Sequence, residues 1–235
     1  LGTLRILEMI RCLLPKCKFY QASSSEMYGK TKSQSQNENT NFYPRSPYAI
    51  SKVFAHFVTK NYRESHNIFA CSGILFNHES PLRGEEFVTR KIVKNLCEIK
   101  IGKRKYLELG NLYAKRDWGY AKDYVEAMWK MLQKKKADDY VIATNKSYSI
   151  KFFINQCCKH LKIKLKWIGN GTLEKGIDTN TKKTIIKINP KYFRPAEVNY
   201  LKGNYLKAKK ELKWYPKTNI SKLIKIMIDE ELKRL

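Results

Sequence analysis

Tyr48 and Lys52 stand four residues apart in Ser46-Pro47-Tyr48-Ala49-Ile50-Ser51-Lys52, a stretch that opens like a helix. Ser is a favourable N-cap, and Pro fits the first helical turn, where its missing N–H breaks no bond. At that spacing a phenol and an ammonium share one helix face, one turn apart. A neighbouring ammonium and the positive end of a helix both favour the charged form of a phenol. Such a pair is a base for the hydroxyl of a sugar or alcohol. Taken alone, the spacing also fits a surface tyrosine lying over a lysine stem. Two polar clusters add chemical content. Upstream, a short strand empties into Ser23-Ser24-Ser25-Glu26, and downstream an apolar run ends in Asn77-His78-Glu79-Ser80. In parallel α/β sheets, ligands gather beyond the carboxyl ends of the strands. Ser24 offers a hydroxyl for a substrate oxygen, and Glu26 a second acid/base. Turn chemistry and capping are the plainer roles for Ser24, Ser25, Asn77 and His78.

The elements that must position these groups follow from the hydrophobic period. Leu4, Ile6, Leu7, Met9, Ile10, Leu13 and Leu14 predict a helix over 4–14. Residues 18–23 predict a strand, and the polar stretch 30–41 a loop. The helix that starts at Ser46 is expected to gather Val53, Phe54, Phe57, Val58 and Tyr62 on one face. Residues 68–76 are continuously apolar, as in a strand covered on both faces of a parallel sheet. Helix, strand, loop, helix, strand in that order predicts an α/β fold. Further on, helices are expected over 87–101, 123–133, 149–161, 207–212 and 221–235, and strands over 139–144, 164–168 and 184–189. Residues 1–80 therefore read as part of a nucleotide-binding type of sheet that carries the catalytic groups. Residues 81–235 read mainly as a smaller mixed α/β substrate lobe, with a helix and strand around 120–145 returning to the main domain.

Composition bounds the classes. The chain has 235 residues with 47 Lys+Arg against 21 Asp+Glu, a net charge of +26. Hydrophobic residues at 43% and aromatics at 12% argue against a disordered chain. No run reaches the roughly 18 apolar residues of a membrane-spanning helix, and the opening residues have no signal-peptide core. The lysines are scattered rather than gathered in a stripe, which reads as solvated faces and not as a nucleic-acid surface. Six cysteines without a CxxC, and four histidines without a ligand spacing, suit a reduced, cytoplasmic protein without a metal. Cys157 and Cys158 read as core filling within a helix.

Longer stretches carry a specific resemblance. Phe19-Tyr20-Gln21-Ala22-Ser23-Ser24-Ser25-Glu26-Met27-Tyr28-Gly29, Phe42-Tyr43-Pro44-Arg45-Ser46-Pro47-Tyr48, Gly73-Ile74-Leu75-Phe76-Asn77-His78-Glu79-Ser80-Pro81, Ala114-Lys115-Arg116-Asp117-Trp118-Gly119 and Tyr192-Phe193-Arg194-Pro195-Ala196-Glu197-Val198 resemble the extended short-chain dehydrogenase/reductases and, within them, the GDP-mannose 4,6-dehydratase family. The resemblance implies a Rossmann-type α/β fold, of which this chain is the C-terminal two-thirds, with a smaller mixed substrate lobe. It implies a hydro-lyase that converts GDP-mannose to GDP-4-keto-6-deoxymannose through transient hydride transfer to NADP, the first step of GDP-fucose synthesis. By the same resemblance Tyr48 takes the sugar O4 proton, Lys52 holds the nicotinamide ribose, Glu26 removes the C5 proton, and Ser24, at a position usually Thr, donates to O4. His78 and Arg83 match cofactor contacts. Asn77, Lys91, Arg116, Arg194 and Glu197 match positions around the GDP moiety. The full-length protein is expected to be a homo-oligomer, dimer or tetramer, with no nucleic-acid or membrane partner.

The sequence departs from the pattern at two places. Leu82 stands where the family typically has Arg, in a segment tied to cofactor contact between subunits. No glycine-rich strand–turn–helix fingerprint, the element that cradles a cofactor pyrophosphate, occurs in the chain. The isolated chain is therefore expected to hold NADP poorly, to be poorly stable and to be nearly inactive. Two alternatives stay open on the residues alone: a sister nucleotide-sugar epimerase or dehydratase, and a non-catalytic basic binding remnant.

Overall fold

The computed structural model describes residues 1–193 and 196–235. Along the chain run α1 (Gly2–Leu13), β1 (Phe19–Ser24), α2 (Pro47–His66), β2 (Ala70–Leu75), β3 (Asn77–Glu79) and α3 (Val88–Lys100). There follow β4 (Leu107–Leu109), β5 (Lys115–Arg116), β6 (Trp118–Tyr120), α4 (Ala121–Leu132), β7 (Asp139–Ile142), β8 (Tyr148–Ser149) and α5 (Ile150–His160). The last elements are β9 (Leu165–Ile168), β10 (Lys175–Asp178), β11 (Lys183–Ile188), α6 (Leu206–Leu212) and α7 (Ile220–Arg234). Every long periodic segment of the sequence became the element it predicted, within a few residues at each end. The strands without a sequence signal, β3, β4, β5, β6, β8 and β10, have only two to four residues. A period of two cannot declare itself over so short a span.

The chain divides into two compact units. The first comprises residues 1–78, 117–147 and 200–217. Its centre is a parallel sheet in the order β1–β2–β7, with Ala22 opposite Gly73 and Ser24 opposite Leu75. The middle strand β2 is buried at every residue, as its unbroken apolar run requires. Alternate residues of the strands feed two cores. One gathers Cys71, Leu75, Tyr124, Met131, Tyr140, Ile142 and Trp214, and brings in α4 and α6. The other gathers Leu7, Ile10, Ile68 and Ala70, and brings in α1 and α2. Each Leu, Ile or Met among them, fully buried, contributes about 1.5–3 kcal/mol relative to exposure.

Helix α2 differs from its expected orientation. Its buried residues are Ala49, Ala55, His56 and Thr59. Phe54 and Phe57, placed in the core by their spacing, are 43% and 53% exposed. Val58 and Tyr62 do pack against the α1-side core. The reason is close approach: small residues on the sheet-facing side let the helix lie near the strands, and the rings turn outward.

The second unit comprises residues 79–116, 148–199 and 218–235. It holds a mixed sheet in the order β4–β11–β10–β9, with β4 and β11 parallel and the rest antiparallel. Helices α3, α5 and α7 pack on one another. Ser149 caps α5 by accepting a hydrogen bond from the Phe152 N–H at 3.1 Å. Cys157 and Cys158 are buried in that helix, as expected of core filling. Arg90 of α3 and Glu231 of α7 form a buried ion pair. Among the described residues, no helix is long and apolar enough to cross a membrane.

Candidate active site

Strand β1 ends at Ser24, and the chain turns at once into a short 3₁₀ turn over Ser25–Met27. Ser24 caps this turn: its Oγ accepts from the Glu26 N–H at 3.2 Å. The hydroxyl proton of Ser24 is not used in that bond. Glu26 is half-buried in the first turn residue pair.

The next segment brings α2 back to the same strand end. The Tyr43 N–H donates to the Met27 carbonyl at 3.1 Å, and the Lys30 N–H to the Tyr43 carbonyl at 3.0 Å. Gly29 makes this return possible. Its φ is +49°, and a Cβ there would lie 1.9 Å from the Tyr43 carbonyl oxygen. Ser46 then caps α2, accepting from the Ala49 N–H at 3.1 Å, with Pro47 in the first turn as the sequence predicted. The helix packs on both β1 and the 25–27 turn.

Tyr48 lies in that first turn and is 54% exposed. Lys52, one turn on, donates from Nζ to the Ala22 carbonyl of β1 at 2.8 Å, and its Nζ is 5.6 Å from the centre of the Tyr48 ring. Partial burial lowers the Lys52 pKa. The hydrogen bond to a strand carbonyl fixes the ammonium at the carboxyl end of β1, on the helix face it shares with the tyrosine.

Beneath these residues lies a largely buried polar cluster of Ser23, His56, Asp139 and Arg63 that no local spacing announced. Ser23 Oγ and His56 Nδ1 are 3.2 Å apart, and His56 Nε2 is 3.9 Å from Asp139 Oδ2. Arg63 forks onto both oxygens of Asp139 at 2.8 Å and also donates to the Ala70 carbonyl at 3.0 Å. Burial lowers the His56 pKa, against the charge of Asp139, which works to raise it. Burial works to raise Asp139, but the Arg63 hydrogen bonds and charge outweigh it and hold the carboxyl low. The cluster ties α2 to all three strands. The spacing shows only that His56 lies four residues after Lys52 and so on the same helix face.

The other predicted positions are placed as follows. His78 contacts the Phe76 carbonyl through Nδ1 at 2.9 Å, and its ring stacks on Tyr124 at 5.3 Å. The side-chain oxygen of Asn77 is buried, with no hydrogen-bond partner among the described residues. Arg83, in the second unit, lies flat over the Phe87 ring at 3.6 Å, with Nε 3.3 Å from Glu79 Oε2 but poorly aligned for a hydrogen bond. Leu82 beside it is 85% exposed. Lys91 holds its Nζ 4.0 Å from the centre of the Tyr192 ring. Arg116 and Glu197 pair at 3.7 Å, so two residues matched to the nucleotide meet in one place. Arg194 lies outside the described residues.

A parallel sheet with polar groups and a Tyr/Lys helix at the carboxyl end of its first strand defines a Rossmann-type protein. Solved structures agree on the fold. RMD from Pseudomonas aeruginosa complexed with NADPH aligns with a TM-score of 0.83 at 20% identity, over 100% of this chain and 73% of that one. The dTDP-glucose 4,6-dehydratase of Bacillus anthracis in complex with NAD aligns at 0.81 and 22%, over 99% and 67%. The family model for GDP-mannose 4,6 dehydratase matches residues 1–227. The GDP-mannose 4,6 dehydratase of Drosophila melanogaster is 51% identical over 98% of this chain and 59% of its own length, and the human one 46% over 99% and 64%. The chain belongs to the GDP-mannose 4,6-dehydratase family, and it spans a little under two-thirds of the length of these relatives.

Proposed function

We propose that this chain carries the catalytic residues of a cytoplasmic hydro-lyase that converts GDP-mannose to GDP-4-keto-6-deoxymannose, using NADP, as the first step towards GDP-fucose. The observation that carries the reading is the convergence at the end of β1: the Lys52 ammonium bonded to the Ala22 carbonyl beneath the Tyr48 ring, with Ser24 and Glu26 on the turn that α2 packs against. Membership of the family and the names of the relatives support it.

The donor set fits a nicotinamide nucleotide. An ammonium has three N–H donors, and only one of those on Lys52 is taken by Ala22, which leaves two for ribose hydroxyls. The exposed Tyr48 hydroxyl, His78 and the Arg83 guanidinium are the further cofactor contacts in this reading. The bound cofactor supplies a hydride acceptor that later returns the hydride. The chain's own residues move the protons. Tyr48 takes the proton from the sugar O4 while the Ser24 hydroxyl donates to the same oxygen. The carboxylate of Glu26 takes the C5 proton, made acidic by the C4 ketone, and delivers a proton to the departing C6 hydroxyl. With the hydride returned at C6 and a proton restored at C5 as Tyr48 gives up the one it took, the net change is loss of water. Asn77, Lys91, Arg116, Arg194 and Glu197 contact the GDP moiety, and the working protein is a homo-oligomer.

The test is turnover of GDP-mannose with NADP by the native polypeptide that carries these residues, read as a product lighter by one water. Tyr48→Phe and Glu26→Gln should each slow turnover on the order of 10²–10⁴-fold, and Glu26→Gln should leave GDP-mannose binding intact. Unchanged turnover in either variant, or a preference for UDP- or dTDP-sugars, removes the assignment.

A further inference from the structure

The second unit contains a cavity of about 290 Å³ bounded by α3, β4 and the segment that carries Tyr192. Glu108 lines it. On β4, Leu107 and Leu109 are buried and Glu108 alternates to the opposite side. Lys91 and Asn95 face the cavity from α3, and Tyr106 and Tyr192 complete the wall. Gly110 admits Tyr192 to this place, because a Cβ at 110 would lie 2.5 Å from the Tyr192 carbonyl oxygen. Burial lowers the Lys91 pKa, and the charge of Glu108 opposes that shift, so the two groups act on each other across the space. Arg104 is held by Glu98 at 2.5 Å. Among the described residues, no ion pair within 4.0 Å holds Glu108.

The cavity thus presents one carboxylate, Glu108, together with the ammoniums of Lys91 and Lys105 and the Glu98-held guanidinium of Arg104, between tyrosine rings. A carboxylate offers two acceptor oxygens side by side and an ammonium offers only donors. Guanine has the complementary edge: the O6 acceptor, then the N1–H donor, then the 2-amino donor. Adenine reverses the first two and lacks the third, and uracil places a single N–H between two carbonyls that a carboxylate repels. We propose that Glu108 is the residue that selects the base of the nucleotide sugar, its carboxylate accepting N1–H and the 2-amino group of guanine while Lys91 donates to O6. The proposal rests on the reading of Lys91 as a GDP contact and adds to it the residue that distinguishes guanine from other bases.

Calorimetric titration of the native polypeptide that carries these residues with GDP, IDP and ADP tests it, because IDP differs from GDP only by the missing 2-amino group. GDP should bind about 5- to 100-fold more tightly than IDP, the range of one bidentate base contact, and ADP should bind more weakly than IDP. Glu108→Gln should bring the GDP-to-IDP ratio close to one while IDP affinity stays within about threefold. Glu108→Ala is the second variant, and melting by circular dichroism confirms that both fold. Equal affinity of the unaltered polypeptide for GDP and IDP overturns the proposal without any variant. So does an unchanged ratio in Glu108→Gln, or an equal loss of both ligands in Glu108→Ala. Failure of the unaltered polypeptide to bind GDP at all overturns the GDP-mannose reading, and this proposal with it.

Discussion

Lys52 joins architecture to chemistry in one side chain. Its hydrogen bond to Ala22 holds the helix to the strand, and the same charge stands 5.6 Å from the centre of the Tyr48 ring, the base of the proposed reaction. Asp117 is the opposite case, a charge placed for structure alone. It is fully buried and accepts from Thr144 N at 2.8 Å, Thr144 Oγ1 at 2.6 Å and Gly203 N at 3.2 Å. Burial pushes its carboxyl up from 3.8 to about 6 in spite of those bonds. Between these two pH values the folded chain keeps a proton that the unfolded chain has lost, so this group makes stability fall as pH rises from about 4 to about 6. The gap corresponds to an upper figure of roughly 3 kcal/mol. His56 acts in the other direction, since its lowered pKa means that stability is lost as pH falls through its unfolded value near 6.5. Melting of the chain and of Asp117→Asn across pH 4–7 separates the two. The variant should lose the acid-side gain that the unaltered chain shows. Parallel melting curves in the two proteins would assign the dependence to other groups.

Among the elements, the loop between the 25–27 turn and α2 decides whether the site exists. Gly29 lets the chain pass against the Tyr43 carbonyl, and that contact sets where Ser46 starts the helix. Gly29→Ala should destabilise the chain by about 2 kcal/mol or more, through a forced left-handed residue and a steric clash. Urea unfolding measures this, and a loss below ~0.5 kcal/mol would mean that the loop re-forms without the contact. The cap at Ser46, the proline after it and the buried run of β2 were all legible in the sequence, because each is a local choice with one physical solution. The face of α2 was not legible. Phe54 and Phe57 obey a helical period, yet the sheet accepts Ala49, Ala55 and Thr59 instead. Periodicity reports that a helix has an apolar stripe, and only the partner surface decides which stripe is covered. The turn that holds Ser24 and Glu26 at the end of β1 follows from local signals, whereas Lys52 reaches Ala22, and Ser23, His56 and Asp139 come together, only because β1, α2 and β7 pack together.

For the molecule as a whole, the outward rings of α2 bear on assembly. Ile50, Phe54 and Phe57 recur at i, i+4 and i+7, and each is 43% to 57% exposed. Large apolar side chains in a row on a solvent-facing helix mark a surface that is covered in the working state. The proposed homo-oligomer is expected to cover it with a second copy of the chain. Phe54→Lys with Phe57→Lys should shift the protein towards monomer in sedimentation velocity without changing its circular dichroism. An unaltered sedimentation coefficient would move the interface elsewhere. The net charge of +26 weakens self-association at low salt, so the comparison belongs at moderate ionic strength.

The sequence by itself determined the α/β class, the cap of α2, the buried parallel strand and the family, because these rest on neighbours along the chain or on long matched stretches. The tertiary structure alone decided which face of α2 is covered, that Lys52 is anchored on Ala22, that a polar cluster around His56 backs the site, and that Glu108 shares a cavity with Lys91. Those facts join residues tens of positions apart. Their energies come from burial and direct contact, which no local spacing encodes until the strands and helices have packed.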